Sequence, residues 1–371
     1  MNQRVALNGL AVGMVSLAAV VMATGCFSKE EKPARKRRTP VETQAQPEAP
    51  KPSSVEINPR LLRRFKPARA VIDSEDNELT KPKVELGRQL FHDARLSAHN
   101  QHSCNDCHKL SEYGVDGKRV PSGGKRNAPT VYNAAGHFEF ADGKAKTIEE
   151  QAQQALLSPL QSGAASDSAV VAALSEIPEY VNAFKTAFPS DPQPLTFENV
   201  GRAIGAFERQ LTTRGRWDAF LEGNPSALQG EEGEGLKLFL NLGCAVCHTG
   251  ETLGGTMYEK LGAVERWPNQ QDQGRWETTK KDADRMIFKV PTLRNVVETG
   301  PYFHDGSTDD LATAVTMMAK HQIGMKLEAS EVQAILAWLK SLTGQPTAEQ
   351  TATPSLPTGA ARTAAKDSVA P

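Results

Sequence analysis

The sequence has few cysteines, few aromatic residues and no excess of either charge. Five cysteines among 371 residues are too few for a scaffold built on disulfides. The formal net charge is −1, so the chain has no strong overall field that would favour nucleic acid as a partner. The composition also excludes collagen-like, polytopic membrane and wholly disordered chains. What remains is a globular body long enough for two domains of ordinary size.

A nearly continuous apolar run occupies residues 10–22, after the basic Arg4. Small residues follow as far as Cys26, so residues 1–25 are predicted to be a signal peptide. The ending Gly25-Cys26 is similar to a bacterial lipoprotein signal, in which Cys26 would carry the lipid. Ala23 departs from that pattern, and an ordinary signal peptide cut nearby is the alternative. Both versions predict a periplasmic protein, and Phe27 favours the outer over the inner membrane.

The composition predicts flexible segments on both sides of the body. Residues 26–70 are rich in Lys, Arg, Glu, Pro and Gln, and are predicted to form a lipid-anchored tether. Residues 344–371 are rich in Ala, Thr and Pro, and are predicted to be a disordered tail. The body between them divides into residues 71–220 and 221–343, because one sequence pattern occurs in each half.

Apolar residues of the body recur mostly at helical spacing. Thr196 is predicted to cap a helix that continues to about residue 211, and Thr147 to cap one that ends at Leu157. A capping box of Ser330 and Gln333 is predicted to open a third helix near the end of the body. No sustained alternation typical of strands is present. The predicted fold is mainly α, with long loops and little β.

The pattern that occurs twice is Cys-x-x-Cys-His, each time after a short helical lead. Its members are Cys104, Cys107, His108, Cys244, Cys247 and His248. This is the attachment signature of c-type haem, in which two thiols bind the porphyrin edge and the histidine binds the iron. A zinc site of four thiolates is the alternative, but it leaves both histidines without a role. Four cysteines would therefore hold two haems, and the fifth would carry the lipid.

The second iron ligand decides what each haem does. Iron bound by His and Met is a relatively high-potential electron carrier, whereas iron with an open face binds a substrate. The methionines near the second motif are Met286, Met317, Met318 and Met325. Methionine in a helix is usually core filler, so the residue type alone selects none of them.

Four further stretches complete a resemblance: residues 126–133, 142–152, 289–296 and 300–306. Together with both haem motifs, they make the chain similar to bacterial di-haem cytochrome c peroxidases, a group that includes the di-haem enzyme maturing tryptophylquinone cofactors. The resemblance covers about residues 81–344. It implies two cytochrome c-like haem domains packed together, in a protein that is commonly a homodimer.

The resemblance also implies a division of labour. The C-terminal haem, on His248 with Met318 as second ligand and Met317 as the fallback, would take electrons from a small donor such as a cytochrome c or cupredoxin. The N-terminal haem, on His108, would bind hydrogen peroxide and reduce it to water. A calcium ion would bind the Asn127 side chain and the carbonyls of Thr299 and Pro301, all oxygen donors suited to a hard cation.

The chain departs from the family pattern in the loop of residues 114–126, which contains no histidine where many members have one that caps the peroxidatic iron. The first haem is therefore expected to keep an open or water-bound face without reductive activation. His137 is the nearest downstream histidine. A second departure is Ala141, which stands where the family often has a tryptophan between the haems; Trp267 and Trp276 are the candidate substitutes.

The third departure concerns proton transfer. Gln151 matches the family's distal glutamine, but Gln161 stands where a glutamate is typical. An amide orients peroxide but does not accept its proton, so weakened peroxidase activity is expected. The alternatives are a peroxide-dependent oxidase of another protein or small molecule, and a non-enzymatic di-haem electron carrier or sensor. A methionine at the second haem argues against the oxidase, since the quinone-maturing branch uses another ligand there.

Overall fold

The computed structural model describes residues 57–121, 124–136 and 138–359. The predicted signal peptide, the lipidation residue Cys26, His137 and the end of the tail lie outside these residues. Within the described ranges, no helix combines the length and the apolar character needed to cross a membrane.

The described residues form short helices joined by long loops, as the sequence predicted. The helices are α1 Pro59–Leu62, α2 Lys81–His92, α3 Cys104–Cys107, α4 Ile148–Leu157, α5 Asp167–Ser175, α6 Pro178–Ala187, α7 Phe197–Glu208, α8 Arg216–Leu221, α9 Glu231–Asn241, α10 Trp276–Thr279, α11 Leu311–Ile323, α12 Ala329–Lys340 and α13 Ala348–Thr351. The strands β1 Tyr258–Lys260 and β2 Ile287–Lys289 pair antiparallel, with Glu259 opposite Phe288.

The first domain is built on the crossing of α2 and α7. Leu86 and Leu90 of α2 and Phe207 of α7 are buried in its core. The helices approach very closely at Gly87, where an added Cβ would lie 1.8 Å from the carbonyl oxygen of Ala203. Only a residue without a side chain allows this approach, so Gly87 fixes how the two helices cross.

The second domain repeats this crossing with α9 and α12. An added Cβ at Gly235 would lie 1.8 Å from the carbonyl oxygen of Ala334, as at the first crossing. Phe239 and Trp338 pack beside it, with ring centroids 4.3 Å apart. The duplication inferred from the two haem motifs is therefore present in the helix packing as well.

The predicted helix starts are correct in two cases and wrong in one. Thr196 caps α7, and Thr147 caps α4 by accepting a hydrogen bond from the Glu150 amide. The third helix, α12, begins earlier than predicted, with a capping box of Glu328 and Glu331 instead of Ser330 and Gln333. Two glutamates can also form a capping box, because each side chain reaches a free backbone amide at the start of the helix.

The N-terminal segment is more ordered than its composition predicted. From residue 57 onward it packs on the second domain, and Phe65 meets Trp217 edge-on at 5.2 Å. The amide of Gly250 donates to the carbonyl of Arg64 at 2.8 Å. The prediction of a flexible tether as far as residue 70 is therefore wrong over residues 57–70. Trp217 lies in the same core, which thus begins before the expected boundary at residue 221.

The start of the C-terminal tail also departs from the prediction, because residues 345–359 lie along the first domain. The Gln350 side-chain amide donates to the carbonyls of Gln210 and Thr212, both at 2.9 Å. Arg95 donates to the carbonyl of Pro357 at 3.0 Å. Disorder is therefore the wrong prediction for residues 345–359; specific backbone contacts compensate for their low hydrophobicity.

Truncation after Gly344 is expected to lower the free energy of unfolding of the haem-loaded protein by about 1–3 kcal/mol, since several hydrogen bonds of about 1 kcal/mol each are lost. Gln350→Ala, which removes two of them, should cost about 1 kcal/mol. Guanidinium unfolding followed by circular dichroism measures both. An unchanged midpoint in the truncated protein would show that these contacts do not stabilise the fold.

Charged pairs join the two haem domains. Arg126 of the first binds Asp272 of the second through two hydrogen bonds of 2.6 and 2.9 Å, and its remaining nitrogen donates to Asp142. Lys289 reaches back to the buried Glu139 at 2.9 Å. These pairs hold the two haem motifs on the walls of one cavity.

Candidate functional site

The walls of this cavity, which has a volume of about 2290 Å³, include all six residues of the two Cys-x-x-Cys-His motifs. A pocket for one small ligand or cofactor is typically about 300–1,000 Å³, so this space suits more than one group. Apolar side chains line much of it, among them Ile204 and Phe288. A large apolar space that faces two reactive motifs is what two porphyrins require.

Both motif histidines are held in the form that binds iron. Nδ1 of His108 lies 2.9 Å from the carbonyl oxygen of Pro129, and Nδ1 of His248 lies 3.1 Å from that of Leu253. A carbonyl only accepts, so the proton is on Nδ1 and the lone pair is on Nε2. Burial lowers the pKa of both imidazoles, which keeps them neutral. The residues present therefore fit a haem at each motif.

The surroundings of the cysteines favour haem over the zinc alternative. In the described part of the chain, no three His, Cys, Asp or Glu residues come together as a metal site. Burial raises the pKa of Cys104 to about 12 and that of Cys244 to about 11. Thioether formation with a porphyrin leaves no charge to bury at these positions.

Of the four candidate methionines, only Met318 lines the cavity. Met317, its neighbour on α11, does not line the cavity, although both methionines pack against the cluster of Trp267 and Phe288. Met286 is buried in that same cluster, and Met325 is 47% exposed. Met318 therefore lies on the same cavity wall as His248, and its role as an iron ligand stays a prediction.

The three predicted calcium ligands also lie on the cavity wall: Asn127, Thr299 and Pro301. Nδ2 of Asn127 donates to the carbonyl of Lys118 at 2.9 Å. This contact commits the amide nitrogen and leaves the side-chain oxygen as the group that can bind a cation.

The two glutamines predicted to hold peroxide both line the cavity, at different depths. Gln151 is half-buried on α4, whereas Gln161 is exposed on the loop that follows Pro159. The neighbouring carboxylates do not replace the missing acid. Glu149 pairs with Arg209 at 2.7 Å and Glu150 accepts from Gln154 at 3.0 Å, and neither lines the cavity.

Glu208 is one of several acids on the cavity wall that the sequence alone did not single out. It is the last residue of α7, is 5% exposed and lines the cavity. Its Oε2 is buried without a hydrogen-bond partner among the described residues. Burial, and after it the charges of Glu139 and Glu149, raises the pKa of this carboxyl well above its usual value. The sequence signal for Glu208 was a charged residue four positions after Ile204, on the buried face of the helix.

The candidate substitutes for the missing interdomain tryptophan have separate surroundings. Trp267 is buried and meets Phe303 edge-on at 4.7 Å, in the cluster that also contains Ala141 and Met318. Trp276 lies half-buried, 4.2 Å below the ammonium group of Lys280. Of the two, only Trp267 contacts the cluster that joins the domains.

A helical domain with a haem-binding motif, built twice around one cavity, defines a di-haem c-type cytochrome. Residues 81–226 match the family described as di-haem cytochrome c peroxidase, and residues 233–343 match cytochrome c. The chain belongs to the di-haem cytochrome c peroxidase family. It is therefore a peroxidase that carries two covalently bound c-type haems.

Individual relatives support this assignment. The chain is 38% identical over 297 residues to the cytochrome c551 peroxidase of Pseudomonas aeruginosa, covering 76% of this chain and 84% of that protein. It is 41% identical over 271 residues to the cytochrome c551 peroxidase of Nitrosomonas europaea, covering 70% and 80%. Among solved structures, a MauG-like protein associated with microbial copper homeostasis superimposes with a TM-score of 0.68. That protein is 25% identical to this chain, and the match covers 79% of this chain and 97% of the MauG-like protein.

Proposed function

We propose that this enzyme reduces hydrogen peroxide to two waters outside the cytoplasm, with electrons from a small redox protein such as a cytochrome c or cupredoxin. The observation that carries the proposal is the pair of neutral imidazoles, each with a free Nε2, on the walls of one cavity. Reduction of one peroxide consumes two electrons and two protons, and two haems in one cavity can hold the two electrons. Family membership favours an enzyme over the carrier or sensor.

The two halves of the cavity suit different roles. Met318 lies on its wall, so His248 and Met318 would bind the haem that accepts electrons from the donor protein. His108 would bind the haem at which peroxide is reduced, with the amides of Gln151 and Gln161 orienting the peroxide by hydrogen bonds. When bound, the haems supply the electron storage and the affinity for peroxide oxygen. The protein supplies the position of the substrate and its protons.

The sequence of the loop of residues 114–126 supports a first haem that can bind peroxide without prior reductive activation. Its sequence contains no histidine that could cap the iron. Electron paramagnetic resonance of the oxidised protein should therefore show one haem with an open or water-bound face. Two fully low-spin haems, the first with two histidine ligands, would contradict this part of the proposal.

The remaining parts of the proposal concern the setting of the enzyme. The apolar run before Cys26 supports export to the periplasm and a lipid anchor, with the outer membrane favoured. Asn127, Thr299 and Pro301 support a calcium ion on the cavity wall. A homodimer is proposed from the family resemblance.

One sample tests the core of the proposal. A pyridine haemochrome assay on the purified protein should give two haems for each chain. The same sample should oxidise reduced cytochrome c steadily when peroxide is added. Two haems for each chain without peroxide turnover would support a di-haem cytochrome but contradict the proposed peroxidase activity.

Gln161→Glu is expected to raise peroxide turnover by up to ~10², because a positioned carboxylate accepts the peroxide proton and such groups contribute ~10²–10⁴ in rate. Stopped-flow measurement of peroxide-dependent cytochrome c oxidation gives the rate. Gln333→Glu, the same change at an exposed position of α12 away from the cavity, is the control. An unchanged rate in Gln161→Glu would count against Gln161 as a peroxide-binding residue.

A further inference from the structure

Glu208 is a buried acid that the roles assigned above leave unused. Its side chain lines the cavity with Ile204. Burial, and after it the charge of Glu208, raises the pKa of the Cys104 thiol in the first haem motif. A buried carboxyl oxygen without a partner is costly, so such a group usually meets a ligand, a cofactor or a water in the working protein.

Helix packing places Glu208 and Gln151 on the wall of the same cavity. Gly205 of α7 packs against Glu149 of α4, and Gly201 packs against Gln153, so the two helices run in opposite directions. The next turn of α7 therefore brings Glu208 towards the start of α4. Ile148 lines the cavity there, and Gln151 lies one helical turn further along the same face of α4. Glu208 and Gln151 thus face one space that can hold water and substrate.

The charges around Glu208 favour its neutral form. The groups that act on it are Glu139 and Glu149, which raise its pKa, and Arg209, which lowers it. Arg209 is already paired with Glu149, and Glu139 is paired with Lys289. Arg209, the one cation among these groups, is thus shared with another carboxylate. A carboxylic acid kept neutral in this way at pH 7 can donate a hydrogen bond and a proton.

We propose that Glu208 is the proton donor for peroxide reduction at the first haem, acting from the cavity wall that also holds Gln151. The inference rests on the proposed function. As the O–O bond breaks, the proton from Glu208 goes to the oxygen that leaves as water. The two electrons come from the haems, a second proton from solvent completes the other water, and a further solvent proton restores the acid. Gln161 does not replace this group, because an amide gives up no proton at neutral pH.

The test compares Glu208→Gln with the wild type, both loaded with two haems. The amide keeps the size of the side chain and the neutral charge, so folding and haem content should be unchanged. Peroxide turnover should fall by ~10²–10⁴, the usual contribution of a positioned acid. Glu150→Gln, the same change on α4 facing away from the cavity, should retain the wild-type rate. Reduction of the second haem by cytochrome c without peroxide should be the same in all three proteins.

The pH profile separates a proton donor from a residue that only positions the haem. Turnover needs the protonated acid, so in the wild type it should hold at low pH and fall as the pH rises through the pKa of Glu208. Glu208→Gln should be slow at every pH and lack this alkaline fall. Glu208→Asp, which keeps an acid, should recover part of the rate together with the fall.

Each failure has its own signature. A wild type without peroxide turnover overturns the proposed function itself. If the wild type reduces peroxide and Glu208→Gln is equally fast, only the proposed role of Glu208 is overturned. Slow turnover in Glu208→Gln with an unchanged alkaline fall, or with a shifted absorption spectrum of the first haem, would also reject proton donation and assign Glu208 to haem positioning.

Discussion

Serine in place of both Cys244 and Cys247 is expected to give a protein with one covalent haem and no donor-driven peroxide turnover. Serine oxygen does not form the thioether, so electrons lose their point of entry. The apolar wall around Phe239, Ile335 and Leu339 would also lose the group that fills it. The loss of packing should approach the whole stability of a domain, about 5 kcal/mol or more. Intact mass and the haemochrome assay report the haem content directly.

The matched variant carries serine at Cys104 and Cys107. It should keep the second haem, which cytochrome c still reduces, and it should fail to react with peroxide. The two variants together therefore separate electron entry from peroxide reduction. Peroxide turnover that survives in the Cys104/Cys107 variant would show that the roles of the two haems have been assigned the wrong way round.

Asp218→Asn is expected to destabilise the protein by about 3–5 kcal/mol, the usual cost of leaving a buried charge without its partner. Asp218 and Arg294 are 1% and 0% exposed, and two hydrogen bonds of 2.8 and 2.9 Å join them. Asp218 also accepts from the backbone amides of Ala68 and Gly215, both at 2.7 Å. The pair therefore ties the N-terminal segment to the second domain. Guanidinium unfolding of the haem-loaded protein measures the loss.

Arg69→Ala is the control for this prediction. Arg69 binds Glu251 at 2.9 Å, but its side chain is 54% exposed. Exposed pairs contribute only about 0.2–1 kcal/mol, because water screens their charges. A loss in Asp218→Asn no greater than that in Arg69→Ala would show that the buried pair is not a main support of the fold.

Local patterns predicted the helical part of the fold well, because caps and apolar stripes depend on neighbours in sequence. Thr147 and Thr196 were identified as caps in this way. The terminal segments were mistaken for flexible chain, since composition measures only how much apolar surface a segment can bury. Phe65 packs on Trp217, and Gln350 binds backbone carbonyls; both partners lie far away in the sequence.

The sequence by itself determined the haem chemistry of this protein. Each Cys-x-x-Cys-His motif contains, within five residues, both porphyrin-binding cysteines and one iron ligand. The motifs can therefore be identified without any knowledge of tertiary contacts. Only the tertiary structure placed Met318, and not Met317, on the cavity wall and brought Glu208 to the wall that holds Gln151. The direction of a side chain and its distance from water arise from how helices cross. In this protein, the crossings depend on close contacts such as Gly87 against Ala203, which join positions far apart in the chain.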